Sequence, residues 1–230
     1  MRIAVALTVA ILAAGVLALM AVARLDGPGD RALPVTVVSP HPLRIVALGT
    51  SLTRRALWPD RLAETLGRCL PAGTSVVRVA RPGMGSAWAL GQVGIIAAER
   101  PDLVIVELAI NDADVTDGLW LGQSRDNHRA LIRALRAASP DTEVLLLTTN
   151  PVSRRARLTR PFLALYQRLY GELADSEGAG LVDGYGRWLR HRGPDTDLGD
   201  GVHPDPASEA DLYTAPLVQA IAEAFALSCP

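Results

Sequence analysis

A serine stands at the point where an apolar stretch of the sequence ends. Residues 43–48 are rich in branched aliphatic side chains and are followed by Gly49, Thr50 and Ser51. This pattern is typical of a parallel strand that is buried on both faces and delivers a hydroxyl to the start of a helix. Open parallel sheets bind ligands at the carboxyl ends of their strands, so Ser51 is a candidate nucleophile. A helix N-cap is the alternative role, because hydroxyl residues are preferred there in any protein.

An acid and a histidine lie close together near the C-terminus. Asp200 precedes His203 by three residues in a glycine-containing loop. This spacing lets the carboxylate bind one ring nitrogen while the other nitrogen acts as a general base. The remaining histidines, His41, His128 and His191, lie in polar or helical segments. We expect those three to be solvated surface residues.

Two further loops offer hydrogen-bond donors for an anion. Gly83 and Gly85 lie just before a predicted helix and would leave backbone N–H groups open at its N-terminus. A plain turn is the alternative. Asn111 follows another apolar run, and its amide N–H would suit an oxyanion, although a helix cap or a turn would also use asparagine.

Alternating patterns predict the elements that position these residues. Strands are predicted at residues 43–48, 75–80, 103–108, 144–148 and 180–183. Helices are predicted at residues 55–69, 86–100, 125–139, 161–177 and 206–227, with Pro216 kinking or splitting the last. The expected fold class is α/β, a three-layer α/β/α structure with a five-stranded parallel sheet in the flavodoxin-like order 2-1-3-4-5. This order brings all the candidate loops to one edge of the sheet, here called the carboxyl rim.

Composition indicates one globular domain. The chain has 230 residues, of which 49% are hydrophobic, and this length suits one α/β core better than two. All 23 basic residues are arginine, but they are spread along the chain and balanced by 24 acids, so no nucleic-acid partner is expected. The sequence has no Cys/His cluster and no phosphate-binding Gly-Lys-Ser/Thr motif, and we expect no metal and no organic cofactor.

The N-terminus predicts export. Residues 3–23 form an apolar run, interrupted only by Thr8, that is long enough to span a bilayer. We interpret residues 1–23 as a signal anchor or a signal peptide, with a slight preference for the anchor. Residues 24–42 are rich in glycine and proline and are predicted to be a tether, within which residues 35–38 could form a short edge strand. The domain, residues 43–230, would then be periplasmic or otherwise extracytoplasmic and tethered to the membrane.

The two cysteines, Cys69 and Cys229, suit a disulfide in an exported protein. In the proposed strand order the first and last helices lie side by side and bring both thiols to the same end of the molecule. Two unrelated thiols are the alternative.

Four arginines follow the fourth predicted strand: Arg154, Arg155, Arg157 and Arg160. They are expected to form a basic flap on the carboxyl rim that would favour anionic substrates. A solvated loop in an arginine-rich protein is the alternative.

Four short blocks resemble the SGNH hydrolases, also called GDSL esterases and lipases. The blocks are residues 49–53, Gly85, residues 109–112 and residues 200–203, and they follow the family's order and approximate spacing. The resemblance covers the chain from about residue 43 to the C-terminus. Thr50 and Ala109 depart from the family pattern, which has aspartate and glycine at these positions, but neither departure removes a catalytic group.

The resemblance implies a role for each candidate residue. Ser51 would be the nucleophile, His203 the base and Asp200 the acid that orients it. The backbone N–H groups of Ser51 and Gly85 and the side chain of Asn111 would form the oxyanion hole.

The expected function is therefore that of an exported serine hydrolase that cleaves carboxylic esters through an acyl-enzyme. Its partner would be a small-molecule or glycan ester, and it would contact a membrane only through its N-terminal segment. An acyl transferase that moves O-acetyl groups on a glycan would use the same site chemistry. A non-catalytic binding domain of the same fold is a further alternative. A flavodoxin-like nucleotide binder is disfavoured because the first loop is short and lacks a run of residues that cradles phosphate.

Overall fold

A five-stranded parallel sheet forms the centre of the molecule. The computed structural model describes residues 14–15, 26–34, 41–70, 72–193 and 198–228. The strands are β1 (Leu43–Gly49), β2 (Thr74–Ala80), β3 (Leu103–Glu107), β4 (Glu143–Thr148) and β5 (Gly180–Asp183). They pair in the order β2-β1-β3-β4-β5 and all neighbours are parallel, which confirms the α/β class and the flavodoxin-like order.

Helices connect the strands and cover both faces of the sheet. In the described chain from residue 43 onward they are α1 (Ser51–Arg54), α2 (Trp58–Cys69), α3 (Ser86–Leu90), α4 (Val93–Ala98), α5 (Ala109–Asp112), α6 (Leu121–Ala138), α7 (Ala156–Thr159), α8 (Leu163–Glu177), α9 (Gly184–His191) and α10 (Pro206–Ala224). Each parallel pair of strands is joined by at least one helix, as right-handed crossovers require.

The strands bury alternate side chains in two separate cores. On one face Ile45, Ile105 and Leu147 pack with apolar residues of α2 and α10. On the other face Val46 and Val106 pack with apolar residues of α4, α6 and α8. Because side chains on a strand point alternately to the two faces, a sheet covered on both sides needs an almost continuous apolar run, which is what the sequence has.

Several helices differ from the sequence prediction. The helix predicted at residues 86–100 is two short helices, α3 and α4, separated at Gly91 and Gln92, since glycine has a low helix propensity. Helix α9 was not predicted; the Asp183 carboxylate caps it by accepting a hydrogen bond from Gly186 N at 2.9 Å. Helix α10 is continuous through Pro216, so of the two predicted effects of the proline, a kink or a split, the split is wrong.

The N-terminal segment 26–34 lies along β5. Arg31 and Leu181 exchange two backbone hydrogen bonds of 2.9 Å in an antiparallel bridge. Leu33 is buried and packs close to Gly180. The edge strand predicted at residues 35–38 and the apolar run at residues 3–23 lie outside the described residues, apart from residues 14–15. Within the described ranges, no helix is long and apolar enough to cross a membrane.

Candidate active site

Ser51 lies at the carboxyl rim, directly after β1. Gly49 ends the strand, and a Cβ at this position would overlap the side chain of Thr53. Thr50 is the N-cap of α1, and its hydroxyl accepts a hydrogen bond from Leu52 N at 3.1 Å. The capping role that could have belonged to Ser51 is therefore filled by Thr50. Ser51 becomes the first residue of the helix, with its hydroxyl available for another partner.

That partner is His203. The Nε2 atom of His203 lies 2.7 Å from Ser51 Oγ, and its Nδ1 atom lies 2.6 Å from Asp200 Oδ2. An ionised carboxylate only accepts, so Nδ1 carries the hydrogen and Nε2 is left as the acceptor for the serine hydroxyl. The structure thus brings Ser51 together with His203 and Asp200, although Ser51 and His203 are 152 positions apart in the sequence.

The loop before α10 fixes the acid in this arrangement. Asp200 Oδ1 accepts hydrogen bonds from the backbone N–H groups of Val202 at 2.9 Å and His203 at 2.8 Å. Partial burial tends to raise the pKa of Asp200, but these two N–H groups and the His203 ring outweigh it and hold the pKa well below its usual range. Asp200 is therefore a carboxylate at neutral pH, as an orienting acid must be.

Three candidate donors lie on the serine's own helix and on two other loops that follow strands of the sheet. Among the described residues, neither Ser51 N nor Gly85 N donates to a protein acceptor. Both groups lie at helix N-termini, where backbone N–H groups have no partner within the helix. Asn111 Nδ2 donates to Met84 O at 2.9 Å, which joins its loop to the Gly85 loop and leaves its second amide hydrogen for another acceptor.

A buried carboxylate holds the Gly85 loop in place. Asp112 Oδ1 accepts a hydrogen bond from Ser86 N at 2.8 Å, and Oδ2 accepts one from Ser124 Oγ at 2.6 Å. A side chain at position 85 would overlap Asp112 Oδ1, so the close approach of this loop requires glycine. Asp112 therefore positions the loop that carries Gly85 N, and it is not itself an oxyanion donor.

His128 is buried, and the expectation that it is a solvated surface residue is wrong. Its Nδ1 lies 2.8 Å from Ser124 O, and its Nε2 lies 3.0 Å from the hydroxyl of Tyr170. That hydroxyl also accepts a hydrogen bond from Leu108 N at 2.9 Å. Burial lowers the pKa of His128 despite the nearby Asp112 carboxylate, so the ring is neutral and links α6 and α8 to the end of β3. His191 is exposed at the end of α9, as expected, and His41 is half-exposed near Asp102.

Glu107 is a second buried acid, and it holds the nucleophile loop. Its Oε2 accepts hydrogen bonds from Thr50 N at 3.1 Å, Thr50 Oγ1 at 2.8 Å and Thr53 Oγ1 at 3.0 Å. Burial raises the pKa of Glu107 to about 7, although the three threonine donors oppose this shift. Glu107 was not among the predicted site residues, although an acid at the end of an otherwise apolar run is a signal for a buried, functional carboxyl group. Thr50 and Glu107 together hold the loop where the family pattern has an aspartate.

The arginine-rich segment after β4 is only partly a basic flap. Arg160 forms an ion pair of 2.8 Å with Asp114 and donates to Ile110 O at 2.9 Å, and both charged side chains are largely buried. Arg154 donates to Gly199 O at 3.1 Å. Arg155 is exposed. The segment therefore links the loop that carries Asn111 to the loop that carries Asp200.

The described residues contain no group of three or more His, Cys, Asp or Glu side chains that could hold a metal ion. The arrangement of Ser51, His203 and Asp200 can generate a serine nucleophile, with Ser51 N, Gly85 N and Asn111 Nδ2 available as donors for a developing oxyanion.

Comparison with known proteins agrees with this geometry. A family model described as the GDSL-like lipase/acylhydrolase family matches residues 45–210, which is most of the chain and includes every candidate site residue. No curated protein matches.

Several solved structures share the fold at low sequence identity. The structure of TesA is 24% identical, covers 77% of this chain and 97% of its own, and has a TM-score of 0.62. A lipase/acylhydrolase from Enterococcus faecalis is 21% identical, with coverages of 82% and 98% and a TM-score of 0.67. Axe2, an acetylxylan esterase from Geobacillus stearothermophilus, is 18% identical, with coverages of 79% and 94% and a TM-score of 0.65.

Proposed function

The chain belongs to the GDSL-like lipase/acylhydrolase family, and from this premise we propose that it is a serine hydrolase that cleaves carboxylic esters through an acyl-enzyme. The observation that carries the proposal is the pair of short contacts on His203, 2.7 Å to Ser51 Oγ and 2.6 Å to Asp200 Oδ2. A serine hydroxyl, a base within hydrogen-bond distance and an acid that orients the base form the arrangement that activates a serine for acyl transfer.

In the first half of the reaction, Ser51 Oγ attacks the ester carbonyl while His203 Nε2 accepts the hydroxyl proton. Asp200 stabilises the positive charge that forms on the imidazole. The tetrahedral intermediate then collapses, the C–O bond to the alcohol breaks, and His203 returns the proton to the departing alcohol. A water molecule, deprotonated by the same imidazole, releases the acyl group as the free acid in the second half.

The donors Ser51 N, Gly85 N and Asn111 Nδ2 would stabilise the oxyanion in both halves. Because they are fixed by helix N-termini and by the Met84 contact, they need little rearrangement during the reaction. Removing one such donor costs about 3 kcal/mol of transition-state stabilisation in a comparable serine hydrolase.

The proposed substrate is a small-molecule or glycan ester, and the proposed location is outside the cytoplasm. The glycan ester is supported by the likeness in fold to an acetylxylan esterase. Export and membrane tethering are supported by the apolar run at residues 3–23 and its N-terminal Arg2.

A fluorophosphonate probe tests the nucleophile directly. The full chain is expected to be labelled at Ser51, whereas Ser51→Ala is expected to be unlabelled and inactive. Ser139→Ala, at the C-terminal end of α6, is the matched control and should label and turn over normally. Probe-resistant protein with an intact fold would support the non-catalytic binding domain instead.

A panel of p-nitrophenyl esters of increasing chain length, run on the full chain, then defines the acyl specificity. Product analysis in the presence of a sugar acceptor separates hydrolysis, which yields the free acid, from acyl transfer, which yields a new ester.

A further inference from the structure

The N-terminal segment enters the domain at the carboxyl rim. Gly29 N donates to Asp183 Oδ2 at 3.0 Å, at the carboxyl end of β5, and the chain then runs antiparallel to β5 through the Arg31–Leu181 bridge. Leu33 packs beside Gly180 at the other end of the strand. Asp26, the first described residue of this segment, therefore lies toward the side of the domain that carries Ser51.

The connection to the apolar run is short. Only Arg24 and Leu25 separate Ala23, the last residue of that run, from Asp26. Three peptide units span at most about 11 Å. The polar headgroup region on each side of a bilayer is about 6 Å thick. With residues 3–23 spanning the bilayer, as proposed above, Asp26 and the carboxyl end of β5 must lie within or just beyond the headgroups.

Large apolar side chains are exposed on the same rim. The rim patch consists of Val115, Trp120, Leu158 and Phe162, which are 60%, 86%, 77% and 40% exposed. Val115 and Trp120 follow α5, and Leu158 and Phe162 follow β4. A tryptophan exposed to this degree is unusual in water and is typical of the interface between lipid and water.

Three contacts join the two loops that carry the rim patch. Val115 N donates to Thr159 O at 2.7 Å, and Arg160 forms its ion pair with Asp114. The hydroxyl of Tyr166, one turn after Phe162, donates to Leu119 O. The four apolar side chains are therefore held on neighbouring, cross-linked loops.

Helix α8 gives the distance along its axis between Asp26 and the rim patch. Pro28 packs against Gly171 in the middle of this helix. Phe162 lies nine residues earlier, about 13 Å further toward the rim. Asp26 is two residues before Pro28 and can reach at most about 7 Å in that direction. Phe162, one member of the rim patch, thus lies at least about 6 Å beyond Asp26 in the direction of the rim.

From these observations we infer that the rim patch docks on the lipid bilayer in which the N-terminal segment is anchored, so that the carboxyl rim and Ser51 face the membrane surface. The inference rests on the proposed anchor and extends it: the N-terminal segment is not the only membrane contact. The ester substrate is then one that is presented at the membrane surface.

Tryptophan quenching in proteoliposomes tests the orientation. The full chain is reconstituted with lipids brominated near the headgroup end of the acyl chain, and its emission is compared with that of Trp120→Phe. The emission that Trp120 contributes is expected to fall, because a docked Trp120 would lie at the level of the headgroups, close to the bromine atoms. The matched probe is Ile95→Trp in the Trp120→Phe background. It places a tryptophan at a 57%-exposed site on α4, toward the amino end of β3, and the emission of this tryptophan should stay unquenched.

A second measurement separates docking from catalysis. The double variant Trp120→Ser with Leu158→Ser is expected to hydrolyse a vesicle-borne ester roughly tenfold more slowly, because less apolar surface is buried at the bilayer. Hydrolysis of soluble p-nitrophenyl acetate should stay unchanged, and Ile95→Ser should change neither rate.

Each contrary result has a defined meaning. If the brominated lipids do not quench Trp120, the inference is overturned. If Trp120 is also shielded from aqueous quenchers in that case, another protein chain covers the rim patch. An equal loss of hydrolysis rate on the vesicle-borne and the soluble ester in the double variant also overturns the inference, because the rim patch would then contribute to the active site or to the stability of the fold. If the wild type hydrolyses neither ester, the proposed function fails, while the quenching result still decides the orientation.

Discussion

At the scale of single residues, the arrangement around Ser51 is a set of separable roles. His203 contacts the serine directly, Asp200 acts through His203, and Asn111 acts only on charge that develops on the substrate. Replacing His203 with alanine is expected to abolish ester hydrolysis while leaving the circular dichroism spectrum unchanged, because its ring lies at the solvent-facing rim. Turnover close to that of the wild type in this variant would contradict the assignment of the base.

Asn111→Ala is expected to lower kcat by about 100- to 1000-fold with little change in KM, because the lost donor is used mainly in the transition state. Steady-state kinetics on p-nitrophenyl acetate measures this. Asn127→Ala is the matched control, since Asn127 also uses its amide to join two elements, through Ser86 Oγ at 3.2 Å, but lies outside the donor set. A similar loss in both variants would show a structural effect and not an oxyanion donor.

Glu107 gives the fold a pH dependence of known sign. Its pKa is raised by burial from 4.5 to about 7, so the folded state binds a proton more tightly than the unfolded state does. The stabilisation from this proton is complete below 4.5 and is lost as the pH rises through about 7. Glu209, buried on α10, has a pKa raised by its own burial and by the nearby Glu107, and therefore acts in the same direction.

Glu107→Gln keeps an oxygen for the Thr50 and Thr53 donors and removes the titration. Between about pH 5 and about pH 8, the wild type is expected to lose up to about 3 kcal/mol of unfolding free energy relative to this variant. Denaturant unfolding of both proteins at several pH values measures the difference. The comparison cancels the opposite contribution of His128, whose lowered pKa makes it destabilising in acid. If the unfolding free energies of the wild type and of Glu107→Gln change with pH in parallel, Glu107 is ionised in the folded protein over this range.

At the scale of elements, the site depends on loops that hold one another. The Arg160–Asp114 ion pair of 2.8 Å connects the segment after β4 to the segment after β3, and both side chains are shielded from water. Removing one partner of a shielded pair leaves the other charge unpaired, which costs more than losing an exposed pair. The pair is therefore expected to matter for stability, unlike the basic flap that the sequence suggested.

Arg160→Ala is expected to lower the unfolding free energy by about 2 kcal/mol and to lower kcat through the Asn111 loop. Arg155→Ala, an exposed arginine in the same segment, should stay within about 0.5 kcal/mol of the wild type. Thermal unfolding and hydrolysis of a neutral and an anionic ester measure both variants. If Arg155→Ala lowers the hydrolysis rate of the anionic ester more than that of the neutral ester, the arginine-rich segment does favour anionic substrates, as the sequence predicted.

The sheet was predictable because its signal is local. Each strand is a short apolar run bounded by glycine, proline or polar residues, and the right-handed crossover rule limits the order of such strands. Helix α9 was missed because its start depends on Asp183 accepting from Gly186 and on Gly184 packing against Thr148 and Tyr213. The Asp183 cap is local, but the contacts with Thr148 and Tyr213 come from distant parts of the chain and leave no periodic pattern.

The candidate site was predictable for the residues that the reaction would use and not for the residues that support them. Ser51, Asp200 and His203 stand in short motifs at strand ends or before a helix. Asp112 lies within one of these motifs, but Glu107 and His128 act through contacts that span 57 and 42 positions. His128 resembled a surface residue because an amphipathic pattern does not show which polar side chains turn inward.

At the scale of the whole molecule, the two ends of the chain meet the sheet differently. The N-terminal segment joins β5 at the edge, whereas α10 packs beside α2 on one face, where Leu62, Leu66 and Leu217 share a core and Arg61 pairs with Asp211. Both helices run from the carboxyl rim to the opposite end, so α2 and the C-terminus finish close together. Leu70 and Leu227 line the same cavity there, which is about 550 Å³ in volume.

This arrangement supports the prediction that Cys69 pairs with Cys229. Cys69 is disulfide-bonded in the structure and ends α2, one residue before Leu70. Cys229 lies outside the described residues, two positions after Leu227. A bond between them would close almost the whole domain into one loop, and by the chain-entropy estimate it would contribute about 4 kcal/mol to stability.

Intact mass with and without reductant, after alkylation, is expected to show no free thiol in the oxidised full chain and two after reduction. Cys69→Ser should then leave Cys229 as one reactive thiol and lower the unfolding free energy by several kcal/mol, close to the effect of reductant on the wild type. Because the same bond is lost in both cases, adding reductant to the Cys69→Ser variant should produce no further change. Two reactive thiols in protein isolated from an oxidising compartment would refute the pairing. The C-terminus would then be held only by the packing of α2 against α10.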